Sequence, residues 1–250
     1  MQNSIKAILC DIGGVLYVGH TPIDGAIEAI NKIKKKYPIR FLTNSTQKTN
    51  SQIVLKLQEL GFDIKSEELI TALDVTKMFL LQEQSSAEYL LSDDAHSFFD
   101  DLQNYPKKYV VVGDAQDNFN YQSLNRAFRA LQDGASLIAV ANNRYFKDAD
   151  NRLSMDAGCF VKALEYASRK KATIIGKPSR EFYHLACKNL GFLPSECMMI
   201  GDDICSDIQG AQDAGLQATL VKTGKFSEED LKLNITPDAL IDSIKNFILE

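Results

Sequence analysis

The fold of this chain is decided by the stretch Ile5-Lys6-Ala7-Ile8-Leu9-Cys10-Asp11-Ile12-Gly13-Gly14-Val15-Leu16. An apolar run in it ends at a single carboxylate, Asp11, which a pair of glycines follows closely. In open α/β sheets, ligands bind beyond the carboxyl ends of the strands, and glycine lets a phosphate or a metal approach the backbone. The stretch therefore predicts a buried strand with a functional carboxylate at its carboxyl end.

Three further polar clusters follow short apolar runs in the same way. They are Thr43-Asn44-Ser45-Thr46, Lys177 after Thr173-Ile174-Ile175-Gly176, and Asp202-Asp203 with Asp207 after Met198-Met199-Ile200-Gly201. Because the carboxyl ends of parallel strands meet at one edge of a sheet, these groups are expected to lie together. With Asp11 they predict a phosphoryl-transfer site.

Short β-branched runs alternate along the chain with helical segments that end at glycine, as at Gly61, Gly134, Gly191 and Gly215. Glycine just past a helix end is a common stop signal. The repeated order of strand, helix and strand predicts an α/β protein with a doubly wound, mostly parallel sheet. The strands of the catalytic sheet are predicted near residues 5–10, 39–42, 68–71, 172–175, 197–200 and 217–221.

The clusters of the predicted site lie before residue 50 and after residue 175, so the middle of the chain is not needed to build it. That middle has its own strand and helix patterns. Strands are predicted at 87–91, 109–112 and 136–140, and helices at 120–133 and 158–169. We therefore predict a discontinuous catalytic core at 1–75 and 172–250 and an inserted α/β cap domain at 76–171.

The chain resembles the haloacid dehalogenase (HAD) superfamily of phosphatases in four ordered motifs: Asp11-x-x-Gly14-Val15-Leu16, Thr43-Asn44, Lys177-Pro178 and Gly201-Asp202-Asp203-x-x-x-Asp207. The resemblance covers nearly the whole chain. Residues 128–131, 160–167 and 221–226 are similar to the NagD-like branch (subfamily IIA), which carries a large C2-type cap. Residues 11–17 are most similar to phospholysine phosphohistidine inorganic pyrophosphate phosphatase and its near relatives. The resemblance implies a Rossmannoid core and Mg²⁺-dependent hydrolysis of small phosphorylated substrates.

In this family the first motif supplies the nucleophile, so the resemblance implies that Asp11 attacks phosphorus and forms an aspartyl phosphate. Mg²⁺ would be held by the carboxylates of Asp11 and Asp202 and by the main-chain carbonyl of Gly13. Asp203 or Asp207 would not contact the metal but would orient water that is bound to it.

The second and third motifs would serve the phosphate. Phosphoryl transfer requires mainly positioning and neutralisation of charge on the phosphoryl oxygens. Thr43, Asn44 and Ser45 would bind those oxygens by hydrogen bonds, and Lys177 would balance the charge of Asp11 and of the phosphate. Pro178 is expected at the first position of a helix that places Lys177 near its N-terminus.

The cap is expected to select the substrate, because it can cover the site and contact the leaving group. The candidate substrate contacts are Asn143, Arg144 and Asp156, which follow predicted cap strands. Related caps often form dimers, so the resemblance also suggests a homodimer through the cap.

Gly13 departs from the family pattern. Most HAD phosphatases have a second Asp there, and the most similar subgroup has Ser. Glycine keeps a main-chain carbonyl for the metal but has no side chain to protonate the leaving group, a contribution worth about 10²–10⁴-fold. Activated substrates should suffer least, which favours phosphoramidates, pyrophosphate and aryl phosphates.

Composition agrees with a small-molecule enzyme. The 250 residues carry a net charge of −5 with dispersed basic residues, so electrostatics give no support for nucleic-acid or anionic-membrane binding. Five cysteines form no C-x-x-C pair, which favours reduced thiols and a cytoplasmic compartment. No apolar stretch approaches the ~20 residues of a membrane span.

Two functions of different classes remain open from the sequence: a Mg²⁺-dependent phosphatase, and a catalytically weak phosphate- and metal-binding or regulatory protein. A response-regulator receiver is disfavoured because its acidic pair lies near the N-terminus of a domain about half this length. A Rossmann dehydrogenase is disfavoured because no G-x-G-x-x-G follows the first strand.

Overall fold

The computed structural model describes residues 4–147 and 152–248. The strands in these ranges are β1 Ala7–Asp11, β2 Tyr17–Val18, β3 Thr21–Pro22, β4 Ile39–Thr43, β5 Leu69–Thr71, β6 Ser86–Leu90, β7 Lys107–Val112, β8 Ser136–Ala139, β9 Tyr145–Lys147, β10 Leu153–Met155, β11 Thr173–Ile174, β12 Cys197–Gly201, β13 Gln217–Val221 and β14 Ala239–Ile241.

The α-helices are α1 Ala26–Lys36, α2 Asn50–Glu59, α3 Ala72–Gln82, α4 Asp93–Ser97, α5 Tyr121–Gln132, α6 Ala157–Ser168, α7 Arg180–Leu190 and α8 Gly210–Asp213, and a π-helix covers Ile204–Gln209.

The chain divides into two compact units. The first unit comprises Met1–Thr43, Ile53–Ile70 and Lys177–Glu250, and the second comprises Asn44–Gln52 and Thr71–Gly176.

The first unit contains a six-stranded sheet in the order β14-β13-β12-β1-β4-β5. The pairs β1–β12, β1–β4, β12–β13 and β13–β14 are parallel. All five residues of β1 are buried, as expected for a central parallel strand that is covered on both faces. Helix α1 packs Ile30 and Ile33 into the same core as Ile8, Cys10 and Phe41.

The second unit contains a four-stranded sheet in the order β11-β8-β7-β6, with parallel pairing throughout. Its core joins Val110 and Val112 of β7 to Leu131 of α5 and Val161 of α6. Helix α5 begins where the Asn120 side chain accepts a hydrogen bond from Ser123 N–H (3.0 Å), which satisfies a free donor of the first turn.

The predicted α/β class with mostly parallel sheets is confirmed, but one strand was assigned to the wrong sheet. The run at 172–175 was predicted in the catalytic sheet, whereas β11 pairs with β8 in the second unit. The sixth strand of the catalytic sheet is instead β14, which pairs with β13 and was not predicted. A short β-branched run fits either parallel sheet, and nothing local to it selects the partner strand.

All five cysteines are free thiols. Within the described residues, no helix combines the length and the apolar character needed to cross a membrane.

Candidate active site

Three of the predicted site residues lie at the ends of neighbouring strands in the first unit. Asp11 is the last residue of β1, Thr43 is the last residue of β4, and Asp202 directly follows β12. These strands are adjacent in the order β12-β1-β4. Each of the three residues is at least nine-tenths buried. Their polar groups must therefore find hydrogen-bond or charge partners inside the protein.

Lys177 joins two of the carboxylates. Its Nζ donates to Asp11 Oδ1 and to Asp207 Oδ1, the latter at 2.6 Å, and the residue is 3% exposed. Burial alone would lower the pKa of Lys177, but the carboxylates of Asp11 and Asp207 raise it well above its usual value. The ammonium group is therefore a fixed positive charge at the end of β1.

The segment before α7 differs from its prediction. Ser179 is the N-cap residue and the helix begins at Arg180, so Pro178 lies outside the helix rather than at its first position. The Lys177–Pro178 peptide bond is cis. The phenol of Tyr183, near the start of α7, donates at 2.5 Å to the carbonyl of Ser206, which belongs to the π-helix after β12.

The acidic loop after β12 separates the roles of Asp203 and Asp207. Asp203 Oδ1 accepts hydrogen bonds from the N–H groups of Cys205 (3.1 Å) and Ser206 (2.9 Å), and so caps the π-helix. Asp207 Oδ2 turns back and accepts from the N–H groups of Asp202 (3.2 Å) and Asp203 (3.1 Å). Such π-helical turns are frequent at functional sites. Here the turn aims Asp207 at Lys177, whereas Asp203 accepts from main-chain N–H groups and pairs with Lys225.

Asp11, Asp202 and Asp207 form a three-carboxylate cluster in which one oxygen from each residue lies within 4.8 Å of the others. Burial, and then the charge of Asp11, raise the pKa of Asp202 well above its usual value. Burial is also the main cause that raises the pKa of Asp207 to about 6, although Lys177 opposes the shift. The cluster therefore concentrates more negative charge than its surroundings stabilise.

A charge count identifies what would balance the cluster. With Asp203 included, four carboxylates face two ammonium groups, those of Lys177 and Lys225, so full ionisation of the carboxylates leaves an excess of two negative charges. Oxygen ligands and a charge of −2 suit a divalent cation. The three-carboxylate cluster could thus hold a metal ion. Asp207 is then a candidate ligand together with Asp11 and Asp202, whereas the sequence predicted that it would orient metal-bound water without contacting the metal.

Sequence reasoning missed the loop after β13, which encloses one oxygen of Asp202. Lys225 N–H donates to Asp202 Oδ2 at 2.7 Å, and Thr223 Oγ1 donates to the carbonyl of Gly14 at 2.5 Å. A Cβ on either Gly14 or Gly224 would overlap Asp202 Oδ2. The available signal was the polar run Thr223-Gly224-Lys225 at the carboxyl end of a strand.

Gly13 has room for a side chain. It is exposed, its φ lies outside the left-handed region, and a Cβ built on it meets no atom within 4 Å. Neither backbone strain nor packing therefore requires glycine at this position. Gly13 therefore lacks a side chain at a position that has space for one.

Asn44 and Ser45 follow Thr43 directly but belong to the second unit. Their segment is fastened there by Asp114, whose N–H donates to Thr46 Oγ1 at 2.6 Å and whose carboxylate accepts from Gln47 Nε2 at 2.5 Å. Thr46 and Gln47, which follow Asn44 and Ser45, are thus held within the second unit by a residue just after β7.

The three predicted cap contacts lie together at the start of α6. Asp156 is the N-cap residue, and its carboxylate accepts from Ala157 N–H at 2.6 Å. The Arg144 carbonyl accepts from Asp156 N–H (3.2 Å), and the Asn143 carbonyl accepts from Gly158 N–H (3.0 Å). Asp156 therefore has a structural role in capping α6, and the substrate contacts assigned to this group stay predictions.

Removing the ammonium group of Lys177 should destabilise the protein, because Asp11 and Asp207 would lose their buried partner. Breaking a buried ion pair from one side costs about 3–5 kcal/mol. Lys177→Met should lower the free energy of unfolding by about that amount, measured by urea denaturation at pH 7.5 in the presence of a chelator.

Lys245→Met is the matched control, because Lys245 pairs with the exposed carboxylate of Asp24. This control should leave stability nearly unchanged, since exposed ion pairs contribute little. Equal losses in the two variants would contradict a buried charge network at Lys177.

Comparison with known proteins agrees with this geometry. A haloacid dehalogenase-like hydrolase family model matches residues 8–117, and a second HAD hydrolase-like family model matches residues 174–247. Haloacid dehalogenase-like hydrolase domain-containing protein 2 of Bos taurus is 38% identical over 250 residues, covering 99% of this chain and 96% of the relative. Phospholysine phosphohistidine inorganic pyrophosphate phosphatase of Homo sapiens is 41% identical over 234 residues, covering 90% of this chain and 86% of the relative.

The solved structure of NagD from Escherichia coli K-12 superposes with a TM-score of 0.86 at 22% identity, covering 98% of this chain and 99% of that one, which shows a shared fold. The family matches, the full-length relatives and the fold agree with the four motifs that the sequence presents. The chain belongs to the haloacid dehalogenase-like hydrolases, with the NagD-like architecture.

Proposed function

We propose that this protein is a Mg²⁺-dependent phosphatase that hydrolyses small phosphorylated substrates through an aspartyl phosphate on Asp11. The observation that carries the proposal is the position of Lys177, whose ammonium group contacts Asp11 and Asp207 at the edge of the three-carboxylate cluster. A buried cation beside the end carboxylate of β1 balances the charge of that carboxylate and also offers a counter-charge for a phosphoryl group. The phosphatase relative is a second support.

In the proposed reaction, an Asp11 carboxylate oxygen attacks phosphorus while the bond from phosphorus to the leaving group breaks. Lys177 balances the charge on Asp11 and on the phosphoryl oxygens, and the Thr43 hydroxyl donates a hydrogen bond to one of them. When bound at the three-carboxylate cluster, Mg²⁺ supplies charge neutralisation and orients the phosphoryl group. Water then cleaves the aspartyl phosphate and releases inorganic phosphate and Asp11.

The substrate class follows from Gly13. Because no side chain stands at this exposed position, the leaving group must depart without a proton from it. Phosphoramidates, pyrophosphate and aryl phosphates have leaving groups that tolerate this loss better than alkoxides do. We therefore propose a preference for activated phosphates over alkyl phosphate esters.

Residues 76–171, which fall within the second unit, are proposed as the inserted cap, with Asn143, Arg144 and Asp156 as its substrate contacts. Asn44 and Ser45 are proposed to bind phosphoryl oxygens together with Thr43. A homodimer through the cap stays a prediction. The five free thiols support a reducing, cytoplasmic setting.

The test compares an alkyl phosphate, an aryl phosphate and phosphoramidate as substrates of the purified protein in Mg²⁺. We expect release of phosphate with kcat/KM highest for the activated pair. Gly13→Asp, which would add an acid near the leaving group, should raise kcat/KM for the alkyl phosphate within the roughly 10²–10⁴-fold span of acid–base catalysis and should raise the others less.

Gly13→Ala is the matched control, because it adds a Cβ in the same open space without an acid. Equal changes for alkyl and activated substrates in Gly13→Asp would refute the missing-acid explanation. Binding of Mg²⁺ and phosphate with no turnover of any substrate would instead support a weakly catalytic binding or regulatory protein.

A further inference from the structure

One oxygen of Asp202 is held in a narrow slot of main-chain atoms in the first unit. The glycine slot, as we call it, has Gly14 and Gly224 as its two walls and Lys225 N–H at its base, 2.7 Å from Asp202 Oδ2. Asp202 itself is 2% exposed. With Oδ2 engaged by the slot, the carboxylate has a fixed orientation about its last side-chain bond.

Both walls must be glycine for the slot to exist. Gly14 has φ +80° and Gly224 has φ +65°, a backbone region that favours glycine. A Cβ on Gly14 would lie 2.9 Å from Gly224 Cα, and a Cβ on Gly224 would lie 2.5 Å from Gly14 Cα. The walls are therefore in close contact through backbone atoms, which cannot move aside as a flexible side chain could.

The two walls come from distant parts of the chain, and one side-chain hydrogen bond joins them. Thr223 Oγ1, next to Gly224, donates to the Gly14 carbonyl at 2.5 Å. Gly14 is further fixed by its N–H, which donates to the Tyr17 carbonyl at 2.8 Å. The Thr223 hydroxyl thus links the two walls that lie on either side of Asp202 Oδ2.

We propose that Thr223 is a positioning residue for metal binding: its hydroxyl holds the glycine slot closed and thereby keeps the Asp202 carboxylate oriented toward the three-carboxylate cluster. The inference rests on the proposed function, because Asp202 is taken there as a ligand of Mg²⁺. Thr223 is assigned no contact with the metal or with the reacting atoms in this scheme. It acts through Gly14 and the slot.

The experiment measures Mg²⁺ affinity directly, by calorimetric titration of the full-length protein without substrate. Thr223→Val keeps the shape of the side chain and removes the hydroxyl. Loss of a group that orients a metal ligand typically costs 10–100-fold in affinity, so we expect Mg²⁺ binding to weaken by at least about 10-fold. Thr223→Ser restores the hydroxyl and should stay close to the wild-type affinity.

Two controls separate positioning from general stability. Thr76→Val makes the same substitution in the second unit, where Thr76 Oγ1 donates to the Ala72 carbonyl (2.8 Å) within α3, and should leave Mg²⁺ affinity unchanged. The melting temperature of each variant in chelator reports its metal-free stability. If Thr223→Val does not fold, Thr223→Ala, which also lacks the hydroxyl, is compared with Thr223→Ser in the same titration.

Unchanged Mg²⁺ affinity in the variants that lack the hydroxyl would overturn the inference and leave the proposed phosphatase intact. Equal weakening in Thr223→Val and Thr223→Ser would also overturn it. Absence of Mg²⁺ binding by the wild-type protein would overturn both proposals. Mg²⁺ binding without phosphate release from any substrate would overturn the proposed activity alone.

Discussion

Asp11→Asn is expected to abolish phosphate release, with kcat lowered by at least about 10⁴-fold, the scale seen when a nucleophile is removed. The change replaces one carboxylate oxygen by an amide nitrogen, so the shape of the side chain at the end of β1 is kept. The amide can neither attack phosphorus nor balance the Lys177 ammonium group. Steady-state kinetics with an aryl phosphate in Mg²⁺ measure the loss.

Asp24→Asn makes the same chemical change at an exposed carboxylate of the first unit that pairs with Lys245, and it should retain activity. The melting temperature of both variants checks that they fold. A rate close to that of the wild type in Asp11→Asn would reject Asp11 as the nucleophile, and with it the aspartyl phosphate.

Removal of the divalent cation should also stop turnover. We expect excess chelator to abolish phosphate release and added Mg²⁺ to restore it, since the cluster carries an excess of negative charge that the lysines do not offset. Asp202→Asn should raise the Mg²⁺ concentration for half-maximal activity by more than the roughly 10–100-fold that is typical when a residue that orients a metal ligand is substituted. The effect should be larger because Asp202 is itself a proposed ligand.

Stability gives a second measure of the same site. Mg²⁺ at 100 times its dissociation constant should stabilise the wild-type protein by about 2.7 kcal/mol, and Asp202→Asn should lose most of this gain. Asp242→Asn, at a carboxylate that is 80% exposed, should keep it. Full activity in excess chelator, or equal stabilisation of all three proteins by Mg²⁺, would argue against a metal at the three-carboxylate cluster.

The site residues differ in how far the sequence predicted their placement. Asp11, Thr43 and Asp202 each follow an apolar run, and each lies at or next to the end of its strand. Lys177 follows a similar run, yet its strand β11 belongs to the second unit. Its proximity to Asp11 comes from the course of the chain after β11, which the apolar pattern does not record.

The acidic loop shows the same limit at shorter range. Asp203 and Asp207 are chemically identical and four residues apart, so the sequence left open which one serves the site. The π-helical turn gives the two residues different contacts. Asp203 accepts hydrogen bonds from the first N–H groups of the turn, and Asp207 accepts one from Lys177. The prediction for Asp203 and Asp207 thus depended on the helix type, which hydrophobic periodicity does not reveal.

By itself, the sequence determined the α/β class, the strands of β1, β4, β12 and β13, and the order of the polar groups at their ends. It could do so because burial on both faces of a parallel sheet leaves continuous apolar runs, and because glycines and polar residues mark where those runs end. Only the tertiary structure decided the sheet to which β11 belongs, the inward turn of Asp207 and the glycine slot around Asp202. Each of these depends on contacts between residues far apart in the chain, and a local pattern records that a residue is buried but not which residue buries it.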